Sequence, residues 1–393
     1  MAEAVIVSAC RTAFGRMLGT LSGFKATELG AIAVKEAVKR AGIDPGLVDE
    51  VIMGNVVSAG LGQNPARSAQ LGGGIPPEKG ALTINKVCGS GMKAAVLAAQ
   101  AIKLGDHDVI VAGGMESMSN GPYILRDART GYRLGDGTLV DTMIYDGLWD
   151  VHNDIHMGKT GEFVSEKYDI GREEQDKWAL RSHLKAAEAT EAGKLAEEIA
   201  PIEIPQKKRD PIVFEKDEGI RADSSLESLA KLKPAFMKEG TVTAGNASQI
   251  SDGACAMVIM SDKKAEELGV KPLARIVNYA TGGRQPKWVM LAPIDACRKV
   301  MELQGVSMDH YDVVELNEPF AVATIALMRE LEVPEEKLNV NGGAVALGHP
   351  IGCTGARLIT TTIYELKRQG KKNGLAGLCL GGGNAVAISL EML

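Results

Sequence analysis

Ile84-Asn85-Lys86-Val87-Cys88-Gly89-Ser90-Gly91-Met92 joins two unlike pieces of chain. Before it, Ala81 to Val87 is apolar and β-prone. After it, Met92, Val96, Ala99 and Ile102 recur at helical spacing through an alanine-rich run. Cys88 is therefore expected at a strand-to-helix turn, with Gly89 and Gly91 letting the backbone turn sharply and approach a ligand. A thiol so placed meets unpaired backbone N–H groups and the positive end of a helix dipole, and both favour the nucleophilic thiolate. Two other readings fit the same residues. An isolated cysteine is commonly a small core residue, and Gly89-Ser90-Gly91-Met92-Lys93-Ala94 fits the dinucleotide fingerprint G-x-G-x-x-[GA], with Asp106 and Asp108 downstream.

Working outward, the stretch has a second copy. Val340-Asn341 precedes Gly352-Cys353-Thr354-Gly355 as Ile84-Asn85 precedes Cys88-Gly89-Ser90-Gly91. Asp49 to Asn55 resembles Asp312 to Asn317, and Ile110 to Gly114 resembles Leu378 to Gly382. The offsets are 262 (Asn55 to Asn317), 264 (Gly89 to Cys353) and 268 (Gly114 to Gly382), which argues for duplication. The second copy carries an extra loop, Gly342-Gly343-Ala344-Val345-Ala346-Leu347-Gly348-His349-Pro350. Each copy alternates strands with helices: Ala4 to Ser8, Val51 to Met53 and Val109 to Ala112 read as strands, the last closed by Gly113-Gly114. Thr27 to Ala41 reads as a helix ended by Gly42, and Pro65 to Leu71 as a short one. Residues from about 119 to 250 differ, with fewer strand signals and more charge. Glu173 to Ala192 is an amphipathic helix with Trp178, Leu184 and Ala187 on its apolar face, and Pro201, Pro205 and Pro211 break the chain beyond it into extended pieces. The expected division is a first half at 1–118 completed by 250–270, a loop domain at 119–249 and a second half at 271–393. Duplicated halves place a shared site at their interface. The duplication weighs against the dinucleotide reading, since that fingerprint normally follows the first strand.

Composition narrows the class. At 393 residues, with 45% hydrophobic and 24% charged residues, the chain is expected to be a soluble globular protein with a large core. Only 4% of residues are aromatic and the net charge is −6, which disfavours nucleic acid as a partner. The six cysteines form no C-x-x-C pair, pointing to a reducing compartment without disulfides or structural zinc. With no basic leader and no apolar run near the ~18 residues of a membrane span, a cytoplasmic enzyme without a membrane partner is the expectation.

Four residues then stand at equivalent edges of the two copies: Cys88, Asn317 in Glu315-Leu316-Asn317-Glu318-Pro319-Phe320, His349 in Gly348-His349-Pro350, and Cys379 in Leu378-Cys379-Leu380-Gly381-Gly382-Gly383. Each alone has an ordinary explanation. Cys379 fits an inert strand, His349 a loop tie, and Asn317 a cap for a helix near Pro319. Together, at equivalent edges of the two copies, they predict that one cysteine, one histidine, a further cysteine and an asparagine converge.

On Asn85-Lys86-Val87-Cys88-Gly89-Ser90-Gly91-Met92-Lys93, Ala112 to Ser119, Asn317-Glu318-Pro319-Phe320-Ala321, Asn341-Gly342-Gly343 through Gly352, and Cys379 to Gly383, the chain resembles the thiolases over essentially its full length, specifically the acetyl-CoA acetyltransferases. The resemblance implies an α/β fold of two duplicated βαβαβαββ halves in a five-layer αβαβα arrangement, with an inserted loop domain that binds coenzyme A. It implies a homotetramer (a dimer of dimers) or a homodimer, with oligomer contacts expected in 119–146. It also implies acyl-CoA and coenzyme A as partners, no tightly bound cofactor, and a place in fatty acid metabolism.

The implied activity is the reversible condensation of two acetyl-CoA through an acetyl-cysteine; the alternative is a degradative 3-ketoacyl-CoA thiolase of broader chain length. Cys88 would be the nucleophile, His349 its base, and Cys379 the acid and base at carbon. His349 with a water on Asn317 would hold the enolate, and the N–H groups of Cys88 and Gly381 the tetrahedral oxyanion. Leu148, His156, Met157, Ala244 and Ser248 would line the pantetheine path. Arg221 and Ser228 would meet the nucleotide, while Met290 and Phe320 close the acyl pocket. Pro319, where the family commonly has alanine, and a shortened Met290-Leu291-Ala292-Pro293 depart from the family pattern and bear on chain length. Cys353 reads as a small residue or an oxidation partner of a catalytic thiol. His152 and His156 have i, i+4 spacing but lack an H-E-x-x-H context, so no metal is expected.

Overall fold

A computed structural model describes residues 2–207 and 209–393. Nine strands form the frame: β1 (Ala4–Thr12), β2 (Glu50–Gly54), β3 (Gly80–Ile84), β4 (Val109–Ser117), β5 (Ser251–Ser261), β6 (Ala274–Gly283), β7 (Val313–Leu316), β8 (Asn373–Leu380) and β9 (Asn384–Met392). Their order is β7-β8-β9-β6-β1-β5-β4-β2-β3. The run β3-β2-β4-β5-β1 recurs as β7-β8-β9-β6, with Leu338 bridging in parallel to Val314 where a counterpart of β3 would lie. The two sheets meet through a short antiparallel contact, Val5↔Arg275 and Ile6↔Ala274.

Side-chain alternation builds the layers. On β5, Ala254, Ala256, Val258 and Met260 enter one core, while Cys255, Met257 and Ile259 enter another. Both faces are buried, as expected for strands covered by helices on each side. Helix α1 (Ala26–Ala41) covers the outside of the first sheet, ended by Gly42 at φ 67°. Helices α2 (Ser90–Leu104) and α5 (Ile351–Gln369) lie between the two sheets, and α4 (Ala292–Gln304) covers the outside of the second. This is the five-layer αβαβα arrangement. Helix α5 is buried from Ile351 to Leu366, and its Arg357 pairs with Glu315 at 3.0 Å in the interior. Helix α3 (Arg172–Glu191) belongs to the intervening segment. That segment is tied to the frame by Arg11, whose guanidinium meets Asp217 and Glu198 at 2.6 Å each, all three buried.

Several expectations need correction. The strand before Cys88 ends at Ile84 rather than Val87. β4 is not closed by Gly113-Gly114 but runs on to Ser117. Those glycines serve close approach: a Cβ on Gly113 would strike the Cys255 carbonyl, and one on Gly114 the Gly352 carbonyl. On α3, Leu184 is 48% exposed. The inward stripe is Trp178, Ser182, Ala186 and Ala189, a helical period that Leu184 does not join. The helix after Asn317 starts at Ala321 and has no side-chain cap. The third repeat match also shifts. Gly54 pairs with Gly114, and Leu316 with Gly377, so Gly114 corresponds to Gly377 rather than Gly382, at an offset of 263.

Candidate active site

Cys88 sits just before α2, whose N-cap is Gly89. The sharp turn falls on Val87, at φ 47°, while Gly89 stays at φ −87°. A β-branched residue is disfavoured there. Asn85 Oδ1 holds the Val87 amide at 2.9 Å, and Ser90 Oγ takes the Lys86 amide at 2.8 Å. Gly89 and Gly91 are needed for contact with the second half: a Cβ on Gly89 would strike Leu380, and one on Gly91 would crowd Ala356 of α5.

Cys88 shares a small chamber of about 60 Å³ with Cys379, His349 and Gly381, bounded by Met290, Phe320, Pro319 and Val289. Cys379, near the end of β8, places its sulfur 3.9 Å from Met290 Sδ. His349 enters from the loop before α5, with Nε2 3.3 Å from Asn317 Nδ2. Its Nδ1 lies 2.7 Å from Thr354 Oγ1, whose hydroxyl donates to the Pro350 carbonyl at 2.9 Å. With its own proton so engaged, Thr354 accepts from Nδ1–H, and the Nε2 lone pair, the basic site of the ring, accepts from Asn317 Nδ2–H. Asn317 Oδ1 is buried without a partner among the described residues.

Burial decides the protonation states. It pushes the Cys88 thiol up to about 12, and the N–H groups of Gly381 and of Cys88 itself only partly oppose it. The thiolate expected from the helix position is therefore not the resting form. Burial also raises the Cys379 thiol, and proximity to Cys88 adds to the shift. His349 is lowered to about 3 by burial, with Arg357 adding repulsion, so its imidazole is neutral at physiological pH. The arrangement is a neutral thiol and a neutral base beside two backbone donors, suited to acyl transfer in which the proton moves as the sulfur attacks.

A larger cleft of about 450 Å³ opens beside the chamber and shares Leu148, Met157, Ser248, Phe320, His349 and Ile351 with it. Ala244, Arg221 and His156 also line this cleft. Ser228 does not: its hydroxyl donates to the Ser225 carbonyl at 2.8 Å within a short helical cap. His156 is not on a helix with His152; it caps the helix Met157–Tyr168 by accepting the Gly158 amide at Nδ1. Among the described residues, no group of three His, Cys, Asp or Glu could hold a metal ion. Cys353 is fully buried in the central layer. Sequence reasoning missed Phe236, which stacks on His156 at 4.8 Å and meets Phe320 edge-on at 6.0 Å. The one signal for it was Gly158, where a Cβ would strike the Phe236 ring. Sequence reasoning also gave Thr354 no part in the site.

Comparison with known proteins agrees along the whole chain. The family described as thiolase, N-terminal domain, matches residues 4–263, and thiolase, C-terminal domain, matches 270–392. An acetyl-CoA acetyltransferase of Pseudomonas aeruginosa is 51% identical over 390 residues, covering 99% of both chains. One from Syntrophomonas wolfei is 52% identical over 395 residues, covering 100% of this chain and 99% of its own. A probable acetyl-CoA acyltransferase of Staphylococcus aureus is 47% identical over 98% of both. The crystal structure of the Bacillus anthracis acetyl-CoA acetyltransferase superposes with a TM-score of 0.98 at 46% identity, covering 100% of this chain and 99% of that one.

Proposed function

The chain belongs to the thiolase family, and from that premise we propose an acetyl-CoA C-acetyltransferase that condenses two acetyl-CoA into acetoacetyl-CoA and CoA, and runs the reverse thiolysis. The observation that carries the reading is the meeting of Cys88, Cys379, His349 and Gly381 in one small chamber at the end of the cleft. Cys88 Sγ attacks the thioester carbonyl of acetyl-CoA while its proton passes to His349 Nε2. The oxyanion of the tetrahedral intermediate sits on the N–H groups of Cys88 and Gly381, where one donor is typically worth roughly 2.7–4 kcal/mol of barrier. CoA leaves with the proton of Cys379, which becomes a thiolate, while His349 keeps the proton taken from Cys88 and the acetyl group stays on sulfur. Cys379, as thiolate, takes a proton from the methyl carbon of a second acetyl-CoA; its raised thiol pKa makes it a stronger base for that weak carbon acid. The resulting enolate is held by His349 and by a water for which the unpartnered Asn317 Oδ1 is an acceptor. Its carbon attacks the acetyl-cysteine, and Cys88 departs with the proton held on His349, which returns the site to its neutral starting form.

His156, Met157, Leu148, Ala244 and Ser248 line the pantetheine path, with Arg221 in the same cleft for the nucleotide; Ser228, outside the cleft, would meet only a nucleotide that projects beyond it. Met290 and Phe320 close a chamber with little space beyond an acetyl group, which favours the short-chain reading over a broad 3-ketoacyl-CoA thiolase. The 119–249 segment is assigned to CoA and oligomer contacts between halves at 1–118 with 250–270 and 271–393. Tyr123 (62% exposed), Leu134 (100%) and Leu139 (62%) are large apolar side chains whose exposure supports a homotetramer. No helix of the described residues is long and apolar enough to cross a membrane, and a cytoplasmic place in fatty acid metabolism suits these substrates.

The test is mass spectrometry after incubation with acetyl-CoA, together with an acetoacetyl-CoA thiolysis assay. An acetyl adduct on Cys88 and loss of turnover in Cys88→Ala are expected. A Cys88→Ala protein as active as the parent would sink the assignment.

A further inference from the structure

The duplication gives the reaction chamber a counterpart elsewhere in the fold. Around the starts of α2 and α5 the correspondence is 264, and the contacts are reciprocal: a Cβ on Gly91 would lie 3.0 Å from Ala356, and one on Gly355 would lie 2.8 Å from Met92. On β4 and β8 the offset is 263, as Gly114 and Gly377 indicate, and on β2 and β7 it is 262, as Gly54 and Leu316 indicate. Carried over, Cys88 corresponds to Gly352, Cys379 to Glu116 and Asn317 to Asn55. The counterparts also meet in space, but their chemistry is different.

Glu116 is fully buried, and every polar contact made to its carboxylate is a donor. Oε1 accepts from Asn55 Nδ2 at 2.8 Å and from the Val57 amide at 3.1 Å. Oε2 accepts from the Val56 amide at 3.0 Å and the Gly352 amide at 2.9 Å. A Cβ on residue 352 would come within 2.7 Å of Oε2, so glycine keeps that amide within reach. Burial pushes the carboxyl up to about 7 against the pull of these N–H groups. A donor-only shell nevertheless fits the carboxylate and leaves no acceptor for an acid proton.

We propose that Glu116 is a positioning residue for His349, fixing the start of α5 through the Gly352 amide; this rests on the reading of His349 as the base for Cys88. Gly352 is the third residue after His349, and Thr354, on the same helical turn, holds the imidazole at Nδ1. On the other side of the loop, Glu318 accepts the Val345 amide at 3.0 Å. The histidine loop is thus pinned at both ends by buried carboxylates, one from each half. Glu116 links the halves because it comes from β4 and grips α5. The locus that duplication could have made a second reaction site instead stiffens the first.

The experiment measures Cys88 acetylation by acetyl-CoA at pH 8, where the carboxylate is ionised, with steady-state thiolysis alongside. In Glu116→Gln the acetylation rate and kcat are expected to fall roughly tenfold or more, since small misplacement of a base is costly. KM for acetoacetyl-CoA should stay within about threefold, because the cleft is not touched. Glu116→Asp, which keeps the charge, should recover part of the loss. A wild-type chain that takes no acetyl group removes the reading of Cys88 and this inference together. A wild-type chain that is acetylated, beside a Glu116→Gln protein acetylated just as fast, overturns this inference alone. If Glu116→Gln does not fold, Glu116→Asp decides by the same rate: a loss supports the role, and parity with wild type overturns it.

Discussion

At Cys88 two physical effects oppose each other, and burial wins. Helix position and two N–H groups favour the thiolate, yet burial leaves the thiol protonated with a pKa of about 12. His349, held down to about 3, is neutral and so free to receive the proton as the sulfur attacks. The consequence has a definite sign. In a His349→Ala protein, which lacks the base, alkylation of Cys88 by iodoacetamide should rise roughly tenfold per pH unit from pH 7 to 9, because thiolate is still a minor species there. A plateau below pH 8.5 would mean that the N–H groups outweigh burial. The same residue also shows where local reading misplaced strain. The left-handed turn falls on Val87 rather than on a glycine, and Gly89 serves instead for close contact with Leu380.

At the scale of elements, glycines in the middle of β4 look like a strand terminator when only neighbours in sequence are considered. In the folded chain they mark where another backbone presses in, and the two have different neighbours. Gly113→Ala would push on the Cys255 carbonyl of β5, within the sheet. Gly114→Ala would push on the Gly352 carbonyl at the start of α5. Each should cost about 1–3 kcal/mol of stability in urea unfolding, as overpacking commonly does. Only Gly114→Ala should also slow Cys88 acetylation at temperatures where both variants are folded. Equal slowing by both would show that α5 is not a distinct route to His349. The amphipathic reading of α3 found the correct helix but included the exposed Leu184, because part of its buried face is polar: Ser182 donates to Glu318 at 2.6 Å. A buried polar residue with a partner cannot be told from a surface one by hydrophobicity alone.

For the whole molecule, the intervening segment is joined to the frame by buried charge. Arg11 is held by Asp217 and Glu198 on one side of the fold, and Asp217 also accepts the Phe14 amide at 2.8 Å. Removing one partner leaves an uncompensated buried cation, so Asp217→Ala should destabilise the protein by about 3–5 kcal/mol in denaturant titration. A change under about 1 kcal/mol would mean that Glu198 alone suffices for Arg11. The five layers were legible from the resemblance and the repeat. The joining of the sheets through Val5 and Ile6 was not, because a two-residue pairing leaves no periodic signal.

The sequence by itself determined the duplication, the alternation of strands and helices, and the four residues Cys88, Asn317, His349 and Cys379, because turn glycines, apolar periods and repeated motifs are local and survive in the chain as text. Tertiary structure alone decided the protonation of the thiols and the imidazole, the orientation of His349 by Thr354, the stacking of Phe236 on His156, and the grip of Glu116 on Gly352. Each of these depends on desolvation or on hydrogen bonds between groups distant in the chain or on separate elements. Such energies exist only once those elements have packed against one another.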